Sequence, residues 1–426
     1  MGAQSICNQT AINMQSICNI HSSQNIAPFI PPLRHFVIQG RENLPDDAPI
    51  ILAPCHQNAL MDPLVVLNLT RCTTVFIARA DIFKKPVARF FLTWLRILPA
   101  FRIRDGRDQL GKNEDTFRQS RDVLLSGTPL CLMAEGRHND KHQLLPLVKG
   151  MFRIAGETQK ELGEDPLFIV PVGIDYDEYE QPFSNVSLQI GTPICVQDYM
   201  ETYLSDEPVA LNQMRDKLSK ELKKVMHHVG AQDQYADEYA YCHLKTQETL
   251  KAQNLANNSW TRFQARKTIS EQLAQLSEEE RASKYAEGAA FAAKCDKQGV
   301  PMWFVSQATQ VWKQVLGLFA LILGVLICWK IVPLWFLANP IVYLPTHLIA
   351  KMKIKDPQFR STCNYGIRFG LSLVYILIMF IISSICRNIV FGFGMLFLAL
   401  FSAYFTPKIL AFLRDCWYTI KMKRTK

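Results

Sequence analysis

Between residues 36 and 193, short runs rich in β-branched residues, at 49–53, 74–78, 129–133, 167–172 and 186–190, alternate with stretches of helical apolar periodicity. A chain that alternates in this way folds as layers of sheet and helix, because each strand buries its faces under the helices that connect it to the next. The expectation is an α/β domain over residues 34–197, a mixed sheet flanked by helices. In such folds the chemistry collects where strands end and loops begin. The predicted strand ends here carry four polar blocks: Ala53-Pro54-Cys55-His56-Gln57-Asn58-Ala59-Leu60-Met61-Asp62-Pro63, Phe101-Arg102-Ile103-Arg104, Ala134-Glu135-Gly136-Arg137-His138 and Ile169-Val170-Pro171-Val172-Gly173.

The rest of the chain differs in character. Residues 1–33 are polar, repeat Gln-Ser-Ile-Cys-Asn at 4–8 and 15–19, and read as a poorly ordered leader in which Met14 is an alternative start. The leader shows no charged start followed by an apolar core, so no secretory signal is expected. Ile6 stands where a myristoylation pattern needs Ser or Thr. Residues 198–312 are richer in Glu, Lys, Gln and Ala and predict a helical extension. Its best-marked helix starts at the capping box Ser277-Glu278-Glu279-Glu280 and stops at Gly299 and Pro301.

Residues 313–426 form a membrane domain in this reading, with apolar runs at 315–329, 331–350, 371–386 and 389–405. Each approaches the roughly 17–25 residues that cross a bilayer, giving about four transmembrane or re-entrant helices; Pro340 and Pro345 interrupt the second. The net charge of +9 is concentrated here: residues 311–426 hold 14 Lys and Arg against 2 Asp and Glu. A basic surface suits nucleic acid or an anionic membrane, and the interleaved apolar runs select the membrane and exclude nucleic acid. Basic clusters at 351–368 and 421–426 place both loops in the cytosol. The protein is thus expected in the inner or cytoplasmic membrane, multi-pass, with its α/β domain facing the cytosol. Twelve Cys without regular spacing form neither a disulfide framework nor a metal-binding pair.

Of the polar blocks, the first points most directly to chemistry. A neutral imidazole, with an ordinary pKa near 6.5, accepts a proton from a hydroxyl. A nearby carboxylate holds the other ring nitrogen protonated and stabilises the imidazolium. His56 and Asp62 are such a pair provided that the chain turns between them, since six residues of regular helix rotate by roughly 600°. Asp62-Pro63 also fits a helix N-cap followed by a first helical residue, a role compatible with partnering His56. Arg102 and Arg104 alternate on one strand face and suit a phosphate, which Arg binds through paired charge-assisted hydrogen bonds; a solvated strand edge is the other reading. Arg107 reads as surface. The stretch 81–95 is an amphipathic helix, either lying in a membrane interface or covering the core. His138 and His142 with Glu135 have the spacing of a metal site, set against a polar loop with two solvated histidines. Cys55 beside His56 suggests a thiol nucleophile, but neighbours on a strand face opposite ways.

Taken in order, the four blocks resemble the motifs of the glycerophospholipid acyltransferase family, over roughly residues 35–195. The family's first motif is usually H-x-x-x-x-D, whereas this chain has one more residue between His56 and Asp62. The longer spacing followed by Pro63, and the segment Leu144-Leu145-Pro146-Leu147-Val148-Lys149-Gly150, resemble the branch that acylates glycerol-3-phosphate or dihydroxyacetone phosphate. The resemblance implies a glycerol-phosphate acyltransferase-like fold and an O-acyltransferase of phospholipid biosynthesis. The donor would be acyl-coenzyme A or acyl-carrier protein, and the acceptor glycerol-3-phosphate or 1-acylglycerol-3-phosphate, with membrane lipids around the site and no cofactor or metal. It implies His56 and Asp62 as catalytic residues. Substrate binding would fall to Arg102, Arg104, Glu135, Gly136, Arg137, Lys149 and Pro171, the last at the acyl-donor side or as a structural proline ending an edge strand. Ala134 stands where the family usually has Pro. The alternatives are an acyltransferase for another lysophospholipid and a non-catalytic lipid-binding scaffold of the same fold.

Overall fold

The computed structural model describes residues 36–70, 74–101, 111, 113–178, 184–307, 311–328, 331–338 and 357–424. Its centre is a mixed sheet of β1 (Phe36–Gln39), β2 (Ile50–Pro54), β3 (Val75–Arg79), β4 (Ile97–Ala100), β5 (Leu130–Leu132), β6 (Phe168–Tyr176), β7 (Val186–Ile190) and β8 (Ile194–Cys195). The strands lie in the order β1-β7-β6-β2-β5-β3-β4, with β8 also on β6. β2 is parallel to β5 and β6, and β3 is parallel to β4 and β5; antiparallel pairing enters where β6 meets β7 and β8. Parallel strands end at one edge, so the segments leaving β2, β3, β5 and β6 are spatial neighbours despite their separation in sequence.

β2 reads Ile-Ile-Leu-Ala-Pro and is buried throughout, as a central strand covered on both faces must be. Ile51 and Ala53 face a core with Leu130, Met151, Phe152, Leu218 and Leu222. Ile50 and Leu52 face the opposite core with Val65, Val66, Val170 and Met226. The first core lies under α3 (Asn113–Leu125), α4 (Gly150–Leu162), α5 (Met200–Ser205) and α6 (Glu207–Val225); the second lies under the short α1 (Met61–Val66). Fully burying one such side chain contributes about 1.5–3 kcal/mol, so these two layers fix where the strand ends sit.

The fold departs from two of the expectations above. Pro171 does not end an edge strand: it lies within β6, opposite Ala53 of β2. On its other side β8 pairs with Phe168 and Ile169 and β7 with Val172 onward, and the Pro171 carbonyl accepts from Gly191 at 2.9 Å. The missing N–H therefore faces the gap between two partners, where no ladder bond is lost. The stretch 81–95 is not one helix. A 3-10 turn, Ala80–Lys84, precedes α2 (Pro86–Trp94), and Lys85 between them is extended, because the Pro86 ring disfavours helical backbone in the residue before it. The strands β1, β4 and β8 were not expected from the sequence runs.

The helical extension holds α7 (Tyr235–Ala252), α8 (Ser259–Gln275), α9 (Glu278–Gln298) and α10 (Met302–Val305). The α9 capping box forms in both directions, and Gly299 closes the helix at φ +59°. Beyond it come α11 (Val311–Ile327), α12 (Val332–Ala338), α13 (Pro357–Cys386) and α14 (Ile389–Arg424). Two helical segments, Gly366–Cys386 and Ile389–Lys423, are long and apolar enough to cross a membrane, and Val311–Ile327 is a shorter apolar helix. The run expected at 331–350 is described only as far as Ala338, and the leader and the cluster at 351–355 lie outside the described residues. α14 continues past the expected end of its run; Arg414 pairs with Glu178 of the α/β domain at 2.8 Å, and Tyr418 packs on Trp303 and Phe304 of the helical extension.

Candidate active site

His56 lies just beyond β2, and the chain then reverses. The Met61 amide donates to the Asn58 carbonyl at 2.7 Å, and Ala59 adopts φ +28°, a left-handed conformation that costs a residue with a Cβ roughly 1–2 kcal/mol. The turn brings Asp62 back, its Oδ2 2.8 Å from His56 Nδ1. The same oxygen accepts from the amides of Gln57 and Asn58, each at 2.8 Å, and Oδ1 accepts from the Tyr176 hydroxyl at 2.7 Å. Asp62 is fully buried. It is not the N-cap: α1 begins at Met61, with Leu60 before it. Its carboxylate instead gathers donors from the turn that precedes the helix. A carboxylate only accepts, so the proton of the contact sits on Nδ1 and the neutral ring carries its lone pair on Nε2. The His56 side chain keeps 13% exposure, enough for a substrate atom to reach it.

Glu135 supports the same loop from behind. It follows β5 at the shared strand edge, and its carboxylate accepts from the His56 amide at 3.0 Å and the Leu145 amide at 2.9 Å. Burial pushes its pKa up to about 7 despite these two donors. The Asn139 amide donates to the His56 carbonyl at 2.9 Å, and the His138 ring meets the His56 ring edge-on, centroids 5.6 Å apart. Gly136 is at φ +63°, and a Cβ there would stand 2.9 Å from Val148 Cγ1, so the close turn after Glu135 requires glycine.

An acyltransferase family model matches residues 35–175. No curated protein matches the chain. Among solved structures the chain is similar to the 1-acyl-sn-glycerophosphate acyltransferase of Thermotoga maritima, at 24% identity and a TM-score of 0.31, over 44% of this chain and 72% of that one.

Within the matched residues, His56, Asp62 and Glu135 are joined by the hydrogen bonds above. Arg137 and Lys149 are exposed, and among the described residues no hydrogen bond or ion pair joins either to those three. Lys149 precedes the first turn of α4. Pro171 is buried in β6. Arg102, Arg104 and Arg107 lie outside the described residues; Phe101, just before them, is held by Asn113, which bonds its amide and carbonyl at 2.9 and 2.8 Å. Cys55 faces inward, its Sγ accepting from the Ile174 amide at 3.2 Å, and burial pushes its thiol well above the ordinary pKa, which removes the thiolate that a nucleophile needs.

The sequence reading missed Tyr176 and a buried polar cluster beside the site. Asp175 pairs with Arg266 and Asp177 with Arg262, each at 2.6 Å, tying the end of β6 to α8. Burial raises the Asp175 pKa to about 6, against the pull of Arg266. His142 joins this cluster rather than Glu135. Its Nδ1 lies 3.3 Å from Gln57 Nε2, its ring stacks on Tyr239, and burial lowers its pKa to about 3. Among the described residues the group with metal-ligand spacing is His142, Asp175 and His227, their ligand atoms within 4.8 Å of one another. The alternative trio of His138, His142 and Glu135 is not such a group, and His142 is buried and not solvated. Three polar residues in succession, Asp175-Tyr176-Asp177 at the end of an otherwise apolar strand, were the available signal.

Proposed function

We propose that this chain is a membrane-bound O-acyltransferase. It would move a fatty acyl group from acyl-coenzyme A or acyl-carrier protein to a hydroxyl of glycerol-3-phosphate or 1-acylglycerol-3-phosphate, on the cytosolic side of the membrane. The observation that carries the reading is the His56 Nδ1 contact to a fully buried Asp62, at 2.8 Å, inside the matched domain. In this mechanism the acceptor hydroxyl gives its proton to His56 Nε2 as its oxygen attacks the thioester carbonyl. Asp62 stabilises the imidazolium that forms. The tetrahedral intermediate collapses with loss of the thiolate, which takes the proton back from His56, leaving an ester and a free thiol.

Glu135 and Gly136 shape the acceptor side. Arg102, Arg104 and Arg137 bind the phosphate, Lys149 adds positive potential, and Pro171 fixes the strand beneath the donor. The domain limits that accompany this reading are 34–197 for catalysis, 198–312 for the helical extension and 313–426 for the membrane part.

The test offers the purified full chain labelled glycerol-3-phosphate and lysophosphatidate in turn, each with both donors, beside His56→Ala. Transfer to one acceptor, reduced about 10²–10⁴-fold in the variant, is the expected result for loss of a general base. Transfer to neither acceptor, or transfer indifferent to the substitution, overturns it.

A further inference from the structure

The segment that leaves β3 exposes what a water-facing surface hides. Ile82 is 43% exposed, Phe90 68%, Trp94 71% and Leu95 51%. A cavity of about 640 Å³, lined by Ala80, Phe83, Arg89, Thr93, Leu98 and Phe101, opens between this segment and β4. Residues 79–96 hold five Lys and Arg against one Asp. That acid, Asp81, is paired with Arg79. Lys84, Lys85 and Arg89 are all exposed beside the apolar side chains.

We propose that Ile82 and helix α2 lie in the interfacial layer of an anionic lipid bilayer. Trp94 and Leu95 would enter the boundary between headgroups and acyl chains, and Lys84, Lys85 and Arg89 would sit on lipid phosphates. Trp suits that boundary because its ring is apolar and its N–H polar, and basic residues near it add attraction to anionic lipid. Continuity supports this occupant over a protein. The segment departs from the carboxyl end of β3, the sheet edge at which His56 also lies and at which Glu178 receives Arg414 from α14, a helix long enough to cross a membrane. α2 then runs back along the sheet, because β4 is parallel to β3 and begins opposite Phe76, so Ile82, Lys84 and Lys85 lie nearest that edge and Trp94 and Leu95 at the far end of the segment. The inference rests on the membrane-bound reading above and adds a second point of contact to it.

The test uses the full chain in phosphatidylcholine–phosphatidylglycerol vesicles, with a photoreactive benzophenone amino acid at position 94, at 377 on α13, or at 204 on α5. Leu377 and Leu204 are exposed side chains, at 59% and 66%, and serve as membrane and water controls. Lipid adducts at 94 and 377 but not at 204 are expected. The adduct at 94 should fall several-fold when Lys84→Glu and Lys85→Glu are combined, and should also fall in vesicles of phosphatidylcholine alone. Adducts at 377 without any at 94 overturn the inference and leave the membrane-bound reading intact. A protein–protein adduct at 94 in place of lipid also overturns it, in favour of an interface between chains. No lipid adduct at either position overturns both.

Discussion

Asp62 takes four hydrogen bonds on two carboxylate oxygens without exposure to water, and its substitutions separate charge from shape. Asp62→Asn keeps the volume but turns an NH₂ toward donors and no longer fixes the Nδ1–H tautomer. Acyl transfer is expected to drop at least about 10²-fold with the stability curve shifted to lower denaturant. Tyr176→Phe removes one donor and leaves the charge, so about 1 kcal/mol of stability should go while transfer falls far less than in Asp62→Asn. Equal losses of activity would remove Asp62 from its proposed role. Glu135 gives a pH signature. Its folded pKa of about 7 exceeds the 4.5 of the free group, so the folded state holds a proton that the unfolded state has released between those values. Its contribution is present below pH 4.5 and disappears as pH rises through about 7, a span of roughly 3 kcal/mol. Denaturant titrations across that range should show the decline in the native chain and its absence in Glu135→Gln. A decline that persists in the variant assigns the effect to another group. His56 and Asp62 were readable as a pair because both lie on one short segment. Glu135 was named as a substrate-binding candidate, but its bond to His56 and that of Tyr176 to Asp62 were not readable, because each reaches that segment from another strand end, and only the sheet order makes those ends neighbours.

At the scale of elements, local signals were the readable ones. The box at Ser277 acts over three residues, and it forms as written. In contrast, Arg262 and Arg266 lie four apart on α8, in a sequence that reads as a polar surface helix, yet both are buried against Asp177 and Asp175. Nothing within α8 announces partners on β6. The pairing is also what holds the helical extension to the end of β6, beside the His142–Gln57 contact that adjoins His56. Arg266→Met would leave Asp175 buried without its cation, a change expected to cost about 3–5 kcal/mol and to lower the unfolding midpoint sharply. Adding Asp175→Asn should recover part of that loss. A double variant no more stable than Arg266→Met would show that the guanidinium contributes packing and not charge. Short edge strands such as β1 and β4 left little trace for a related reason: their half-buried residues neither alternate cleanly nor form an apolar run, and pairing to a neighbour defines them.

For the whole molecule, α14 decides how the two halves are connected. Its 36 residues span about 54 Å at 1.5 Å per residue, whereas the hydrocarbon core of a bilayer is about 30 Å thick. If the helix crosses, a substantial part of it must project beyond the lipid, and the projecting end is the one that bears Arg414, Tyr418 and Met422, which touch Glu178 and the Trp303–Phe304 cluster. The apolar runs were readable from composition. The continuous helix past Pro407 was not, because its last turns pack on Trp303 and Phe304 of the helical extension and pair with Glu178 of the α/β domain. A chain ending at Gln307 removes the membrane helices and uncovers Trp303 and Phe304. It should pass from the carbonate-resistant fraction of membranes to a fraction released by high salt, with residual binding through α2. Its stability should fall, while transfer to soluble glycerol-3-phosphate should continue at a rate close to that of the full chain. Retention in the carbonate-resistant fraction would show that residues before 308 suffice for integral attachment. Loss of transfer with the fold intact would show that α14 completes the site as well as anchoring it.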